Sequence, residues 1–238
     1  YRFYLGRDML SNYDWDRPIY FVSQGGDLDI GLRNYLQFEG FAYKFVPIKS
    51  TTRTADIGQI DALKMFDKVM KVYEWDNLAD TTINIDYQNL ATFNGVMNIR
   101  GIFVQTAVGL FEDGYKEKAV QVLDRMQQVM VPQNFPLNTS ILYSINEYMV
   151  LQAIEVYIKC GEKEKGVKLA QDFARETLES VELFAQPYGR GIMSKSDLEN
   201  NYSLYGYMLE ILSESGCPEE AKALELTFNE TITAILAD

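Results

Sequence analysis

The apolar residues of this 238-residue chain follow two different periods. From about residue 56 onward they recur at steps of three and four residues, which places them along one side of an α-helix. The clearest stripes are Ile60, Leu63, Phe66, Met70 and Tyr73, then Ile141, Ile145, Met149, Ala153 and Val156, and finally Leu224, Phe228, Ile232 and Ile235. This period predicts helices that bury one face in a common core.

The first 55 or so residues have a mixed pattern. Residues 18–22 and 41–48 are rich in β-branched and aromatic side chains, which favours two short strands, and residues 29–35 are typical of one or two helical turns. Two strands do not form a stable sheet alone. Either they pair with each other over the first helical turns, or they belong to a larger α/β unit with further strands upstream. The polar residues 50–56 are predicted to be a linker or a mobile loop.

A glycine-centred pattern occurs three times in the helical part. Its glycines are Gly114, Gly161 and Gly216, and the small residues five positions later are Ala119, Gly166 and Ala221. Glycine ends a helix in the left-handed conformation at little steric cost, and a small residue lets a second helix pack closely against the first. The pattern predicts a helix, a glycine turn and a second helix, repeated three times.

This unit resembles the tetratricopeptide repeat, in which a small residue occupies the corresponding position. The glycines are 47 and 55 residues apart, however, whereas that repeat is about 34 residues long, so long inserts are expected. We therefore predict a mainly α fold. A tetratricopeptide-like helix-pair array at residues 56–238 follows a small α/β segment with two short strands at residues 1–55.

Composition removes several classes of function. The chain has a formal net charge of −12, which disfavours binding to nucleic acid, and no histidine, which excludes Ser-His-Asp and Cys-His nucleophilic sites as well as histidine-ligated metals. No apolar run approaches the 20 or so residues that cross a bilayer. The chain by itself is therefore expected to be soluble and not to be an enzyme.

Motifs for cofactors and metals are also missing. Neither residues 25–26 nor residues 189–191 fit a phosphate-binding glycine loop, and the closely spaced Asp pairs lack the pattern of a calcium loop. In a chain with 34 acidic residues, such pairs are the expected content of solvated loops. We expect no cofactor and no metal. Cys160 and Cys217 lie at the edges of different glycine turns and are predicted to be free thiols.

Two inserts interrupt the helical period, at residues 131–138 and 184–193. The second, together with the start of the next helix, concentrates aromatic, amide and guanidinium groups, which suit a polypeptide or a glycan partner. The predicted binding residues are Tyr188, Arg190, Asn201, Tyr202 and Tyr205, with Asn200 beside them. The alternative is that the tyrosines pack between helices and that Arg190 lies on a solvated loop. In the first insert, residues 138–140 are typical of a helix cap.

The opening segment carries the most recognisable motif. Arg17 and Pro18 begin it, and it continues through Glu39, Gly40, Tyr43 and Pro47. This segment resembles the soluble C-terminal region of a bacterial family of multi-spanning membrane glycosyltransferase-like proteins, known as domain of unknown function 2723 and related to transmembrane protein O-mannosyltransferases. The resemblance covers the first 50 residues through motifs, and the remainder only through architecture.

The resemblance implies a non-catalytic tail of a larger enzyme. Its chemistry would lie in upstream membrane segments, and the tail would act as a scaffold or would bind an acceptor or partner, on the periplasmic side. A free-standing tetratricopeptide-like adaptor and a carbohydrate-binding surface lipoprotein remain alternatives. The given sequence begins at Tyr1, without an initiator Met or a signal segment, which favours a piece of a longer protein. The oligomeric state is left open.

Glu39 is the one acidic residue that the sequence singles out. It lies between Phe38 and Phe41, and an acid flanked by large apolar groups is often buried and paired. We predict a structural ion pair rather than a catalytic acid, with Arg17 as the nearest candidate partner.

Overall fold

The computed structural model describes residue 8 and residues 10–14, 16–22, 32–49, 59–75, 77–83, 98–139, 145–185 and 195–237. The chain divides into two compact units, Tyr1–Lys68 and Val69–Asp238. The fold is mainly helical, with a small sheet before the helices, as predicted.

The first unit contains a sheet of four short strands in the order β1-β3-β2-β4. Strand β1 is Tyr20–Phe21, β2 is Leu36–Phe38, β3 is Tyr43–Phe45 and β4 is Gln59–Ile60. Strand β3 pairs antiparallel with both β1 and β2, and β2 pairs parallel with β4. The two predicted strands exist as β1 and β3, and the sheet contains two further strands that the sequence did not indicate.

A tight turn joins β2 to β3. Gly40 has a φ of 78°, a left-handed conformation that favours glycine, and the backbone N–H of Glu39 donates to the carbonyl of Ala42 over 2.8 Å. The predicted helical turn near residues 29–35 is a 3-10 helix at Arg33–Tyr35 that leads directly into β2. Leu36, Phe38 and Phe45 are the buried residues of the sheet.

Helix α1 is Ala62–Asp67, so the first predicted stripe, which began at Ile60, is only partly correct. Asp61 caps its start by accepting a hydrogen bond from the Lys64 N–H over 3.1 Å, and Ile60 belongs to β4 instead. The helix continues as a π-helical segment, Lys68–Val72. A π turn contains more residues than an α turn, so the buried positions shift out of the three- and four-residue rhythm. Val69 is buried, whereas Leu63 is 40% exposed.

The described residues of the second unit form three helix pairs, as predicted. Their helices are α2 at Asn98–Glu112 and α3 at Lys116–Val129, α4 at Ile145–Lys159 and α5 at Lys163–Ala185, and α6 at Lys195–Glu214 and α7 at Pro218–Ala237. We call α2, α4 and α6 the first helices of the pairs.

Each pair turns at the predicted glycine. Gly114, Gly161 and Gly216 have φ values of 86°, 99° and 84°. In every turn the glycine N–H bonds three residues back and the next N–H bonds five residues back, as in Tyr115 N to Leu110 O at 2.7 Å. This double bond pattern is the Schellman motif, which satisfies the last carbonyls of the first helix. The three copies are therefore equivalent in backbone geometry as well as in sequence.

Small residues bring the paired helices together. Ala119 and Ala221 are buried, and a Cβ added to Gly166 would lie 2.5 Å from the Ile158 side chain, closer than real contacts allow. Within the array, α2 packs on α4 and α4 on α6, while α5 also contacts α7. The first helices therefore lie side by side in one layer. The assignment of these pairs to the tetratricopeptide family stays a prediction.

Further predictions concerned the two cysteines, membrane-spanning segments and the linker. Cys160 and Cys217 are free thiols, the first half-buried and the second buried. Among the described residues, no helix is both long and apolar enough to cross a membrane. The predicted linker at residues 50–56 lies outside the described part of the chain.

Candidate functional site

Residues 131–139, which connect the first helix pair to the second, are held by a buried polar cluster. Arg100, near the start of α2, is 1% exposed and donates to the carbonyls of Phe135 over 2.8 Å and Pro136 over 3.1 Å. It also donates to the Oδ1 atom of Asn146 on α4. Burial lowers the pKa of Arg100 to about 10, against the opposing effect of the Glu147 and Glu176 charges, so its guanidinium stays cationic at neutral pH.

Two carboxylates bind the backbone of the same connection. Oε1 of Glu147 accepts from the Thr139 N–H over 2.5 Å and from its hydroxyl over 2.7 Å, and Oε2 of Glu176 accepts from the Leu137 N–H over 2.6 Å. Burial raises the pKa of Glu176, although the hydrogen bonds that it accepts from the backbone oppose the shift. Oε2 of Glu147 is buried without a hydrogen-bond partner among the described residues.

Asn138 extends the cluster to the third helix pair. Its side-chain amide donates to Thr177 Oγ1 on α5 over 2.8 Å and to Asn201 Oδ1 on α6 over 3.0 Å. One connection thus contacts the N-terminal parts of all three first helices, through Arg100, Asn146 and Asn201. The cluster fixes the spacing of the three helices because each buried polar group must keep its partner.

The exposed side of the first-helix layer carries the candidate binding surface. We define it as the first-helix face, made of the outward residues of α2, α4 and α6. Its members are Gly101, Gln105, Val108 and Glu112 on α2, Tyr148, Gln152, Glu155 and Lys159 on α4, and Asn200, Ser203, Tyr207, Glu210 and Glu214 on α6. Within each helix these residues are three or four positions apart and so share one side.

Two contacts join neighbouring helices across this face. The Gln105 amide donates to Gln152 Oε1 over 3.1 Å, which links α2 to α4. The rings of Tyr148 and Tyr207 link α4 to α6, with centroids 6.3 Å apart and planes inclined by 60°. Both tyrosines keep much of their surface in solvent, at 45% and 44% exposure. Such an aromatic pair, with amide groups beside it, can bind a peptide or a sugar by stacking and hydrogen bonding.

Acidic groups lie toward the C-terminal ends of the three first helices on this face. Glu112, Glu155, Glu210 and Glu214 all belong to the C-terminal halves of the first helices, and Lys159 forms an ion pair with Glu155. In the described part of the chain, no group of three acidic or cysteine side chains is placed to hold a metal ion. The groups that the face presents are aromatic rings, amides and carboxylates.

The binding residues predicted from the sequence divide into interior and surface positions. Asn201 is fully buried, and Tyr205 is 1% exposed, with its hydroxyl donating to the Leu224 carbonyl over 2.9 Å. Burial also raises the pKa of Tyr205 to about 12. Tyr202 is 39% exposed, and its ring is nearly perpendicular to that of Phe228, with centroids 5.6 Å apart. Both tyrosines contact the Phe228 ring of the last helix, but Tyr202 keeps part of its surface in solvent, so its role in binding stays a prediction.

The remaining predicted residues of that surface, Tyr188 and Arg190, lie outside the described residues, so the binding prediction for them stays a prediction. Sequence reasoning did not single out Tyr148 and Tyr207. The available signal was their position, since both tyrosines lie outside the buried positions of their helices. Tyr148, for example, is adjacent to Met149 of the predicted apolar stripe but is not part of that stripe.

The first unit contains a second charged cluster, centred on Glu39. This carboxylate is 5% exposed and forms ion pairs with Lys64 on α1 and Lys68 in the π-helical segment, while the Tyr20 hydroxyl donates to it over 3.2 Å. Burial raises the pKa of Glu39, but hydrogen bonds from the two lysines outweigh burial and the net shift is downward. The predicted structural ion pair exists.

The partners of Glu39 differ from the one the sequence suggested. Arg17 is exposed, and its described contact is its carbonyl, which accepts a hydrogen bond from the Tyr13 hydroxyl. Among the other motif residues, Pro18 and Pro47 are exposed near the strands, and Tyr43 lies in β3 with its ring 5.6 Å from Phe38. Burial raises the pKa of Tyr43.

The fold thus defines a protein with an array of three helix pairs and a small sheet before it. The family model described as TMEM260-associated domain 2 matches residues 5–64, which include the sheet, Glu39 and Lys64. No curated protein and no solved structure matches the chain. The family match covers about a quarter of the chain and lies outside the three helix pairs.

Proposed function

We propose that this chain is a non-catalytic module that binds a polypeptide partner through the first-helix face. The observation that carries the proposal is the exposed pair of Tyr148 and Tyr207, which lies on the array where α4 and α6 meet. Exposed aromatic side chains on a rigid scaffold are the usual anchors of protein interfaces because they bury a large area at a small entropic cost. The buried cluster below keeps the helices at a fixed spacing, so the surface is preorganised.

The larger setting that we propose is a membrane glycosyltransferase-like protein. The match of residues 5–64 to a TMEM260-associated domain supports this setting, together with the motif from Arg17 to Pro47. In such a protein the present chain would serve as a scaffold or acceptor-binding part at the periplasmic membrane surface. The catalytic residues would lie elsewhere in that protein. A free-standing adaptor is the competing proposal.

The non-catalytic part of the proposal rests on residue types and their use. The chain contains no histidine, and the three most buried carboxylates among the described residues, Glu39, Glu147 and Glu176, bind lysines or backbone amides of their own unit. A catalytic acid or base must instead reach a substrate proton. Sugar transfer or hydrolysis by this chain alone would contradict this part.

A glycan is the second candidate ligand. It is favoured by the side-chain amides of Gln105 and Gln152, which lie on the same face as the tyrosine pair and can bind hydroxyl groups. We give preference to a polypeptide because the face extends over three helices and so offers contact to an extended chain.

The test is an unbiased selection of random peptides on the immobilised wild-type chain, followed by calorimetry with synthetic copies. We expect binders whose affinity falls at least about tenfold in the Y148A/Y207A variant, since two aromatic anchors are lost. The matched control is Tyr115→Ala, which removes a tyrosine of similar exposure, 41%, from a turn. Glycans are titrated in parallel.

Each outcome decides between sites. Binders that need Tyr188 and Arg190 but not Tyr148 and Tyr207 would move the site to the loop that the sequence suggested. Binding of glycans alone, with dependence on the same two tyrosines, would replace the polypeptide by a sugar. Absence of any binder that depends on the tyrosine pair would overturn the proposed function.

A further inference from the structure

We propose that the partner segment recognised by the first-helix face is cationic, with a lysine or arginine that lies against the tyrosine pair and reaches the carboxylates of α6. This inference deepens the proposed function and rests on it. It follows from where the three first helices place their charged side chains and their aromatic rings.

The first step is the direction of the helices. Arg100, Asn146 and Asn201 lie in the N-terminal halves of α2, α4 and α6, and all three belong to the cluster around residues 131–139. The N-terminal ends of the three helices are therefore gathered at one end of the layer. Their C-terminal ends lie together at the opposite end, next to the three glycine turns.

The second step is the distribution of charged side chains. Glu112, Glu155, Glu210 and Glu214 lie toward that same C-terminal end of the face, against one lysine, Lys159, which already pairs with Glu155. Helix α6 is the extreme case, because the sequence has no Lys or Arg between Lys195 and Lys222. The carboxylates of this face thus create a local field that attracts cations and repels acidic segments.

The third step connects this field to the tyrosine pair. Glu210 and Glu214 follow Tyr207 by three and seven residues on the same side of α6, a rise of about 5 and about 10 Å along the helix. A lysine or arginine side chain whose stem lies on the exposed ring of Tyr207 can therefore bring its charged end to Glu210. Aromatic faces attract such cations themselves, which adds to the pairing.

Chemistry of the partner follows from these steps. A neutral aromatic peptide would use the rings but leave the carboxylates without a counter-charge, and an acidic peptide would be repelled. A basic segment satisfies both features of the face.

The experiment uses the peptides selected on the whole wild-type chain. We expect the binders that depend on Tyr148 and Tyr207 to be enriched in Lys and Arg, and their affinity to fall about fivefold in the E210Q/E214Q variant, as the loss of two exposed charge pairs predicts. The matched control is E225Q/E230Q, which removes the same charge from exposed positions of α7 and should change affinity less than about twofold. Raising the salt concentration from about 50 to about 500 mM should weaken wild-type binding and have less effect on E210Q/E214Q.

The outcomes separate this inference from the proposed function. Neutral or acidic binders that need Tyr148 and Tyr207 would overturn the cationic partner and leave the binding module standing. Equal losses of affinity in E210Q/E214Q and E225Q/E230Q would also overturn it, because the effect would then be one of net charge. If no selected peptide needs the tyrosine pair, the proposed function fails first.

Discussion

The two units of this chain bury charge in two different ways. In the first unit, Glu39 is buried but its partners, Lys64 and Lys68, keep 40% and 24% of their side chains in solvent. In the second unit, Arg100 is buried together with its partners, which are two backbone carbonyls and the amide of Asn146. The first charge can recover water if its partners move, whereas the second cannot.

The difference indicates what each cluster contributes. Glu39 links the small sheet to a single helix through the long, partly solvated side chains of its lysine partners. Ion pairs of this kind contribute little to the free energy of folding by themselves. Arg100 and the carboxylates of Glu147 and Glu176 bind the backbone of one connection and so link the first two helix pairs, and Asn138 of the same connection binds Asn201 of the third pair. Removing a member of the second cluster leaves buried groups unpaired, and that loss is much more costly than a lost surface pair.

The strongest test of this contrast is Arg100→Met, which keeps much of the side-chain volume but removes the charge and all five donors. We expect the free energy of unfolding of the second unit to fall by about 3–5 kcal/mol, because the carbonyls of Phe135 and Pro136 lose their partner while buried. Urea unfolding followed by Trp75 fluorescence in a Trp15→Phe background measures this unit. Arg125→Met, a less buried site, should cost under about 0.5 kcal/mol. A cost below about 1 kcal/mol for Arg100→Met would contradict the role of the cluster.

A smaller loss is expected for Glu39→Gln. The amide still accepts hydrogen bonds, and Lys64 and Lys68 can turn to water, so the sheet should lose about 1–2 kcal/mol. Hydrogen exchange of residues 36–45, followed by mass spectrometry, measures the local opening of the sheet. A loss as large as that of Arg100→Met would remove the distinction between the two clusters.

The two clusters should also respond to acid with opposite signs. The pKa of Glu39 is lowered from its ordinary 4.5, so the stability it contributes is complete above pH 4.5 and is lost as the pH falls through the lower folded-state value. Burial raises the pKa of Glu176 above 4.5, so its contribution is complete below pH 4.5 and is lost as the pH rises through the folded-state value.

Variants isolate these contributions from those of the other acids. The stability difference between wild type and Glu39→Gln should shrink as the pH is lowered from neutral to below 4.5. Relative to Glu176→Gln, the wild type should become more stable over the same change, because the protonated Glu176 carboxyl no longer has a charge to desolvate. Parallel pH profiles of the two differences would show that one of the assigned environments is incorrect.

The smallest effect is expected for Arg17→Ala, which tests the partner that the sequence suggested for Glu39. Arg17 is exposed, so the sheet should lose less than about 0.5 kcal/mol by the same exchange measurement. Lys64→Ala is the comparison variant and should cost more, since Lys64 binds Glu39 directly. The reverse order would restore Arg17 as the partner.

The architecture of the second unit was predictable because its signals are local. A glycine five residues before a small residue, between apolar positions at fixed offsets, specifies the turn and the close helix contact, and all three turns have the left-handed glycine. In the first unit, β1 and β3 were predictable from β-branched and aromatic residues. Strands β2 and β4 were not, since they lie outside the stretches with that composition and are defined by pairing across the sheet.

The charged clusters were harder to predict because their partners are distant in the chain. Glu39 was recognised as a buried acid from its neighbours Phe38 and Phe41, but Lys64 and Lys68 lie 25 and 29 residues away. Arg100 gave no local signal at all, since its partners lie 35 to 46 residues further on. The positions of Tyr148 and Tyr207 outside the buried stripes of their helices were a weak signal, but their contact with each other was not predictable, because the sequence does not specify which side of a helix its neighbours leave open.

The most direct test of the central claim, that the first-helix face is the binding surface, is a ¹⁹F NMR titration of the chain labelled with 3-fluorotyrosine. The peptide is the tightest binder from the selection, and the resonances are assigned with single Tyr→Phe variants. We predict that Tyr148 and Tyr207 shift on binding while Tyr115 and Tyr202 do not, because the partner covers the first two rings. Shifts of Tyr188 or Tyr202, with Tyr148 and Tyr207 unchanged, would contradict the account.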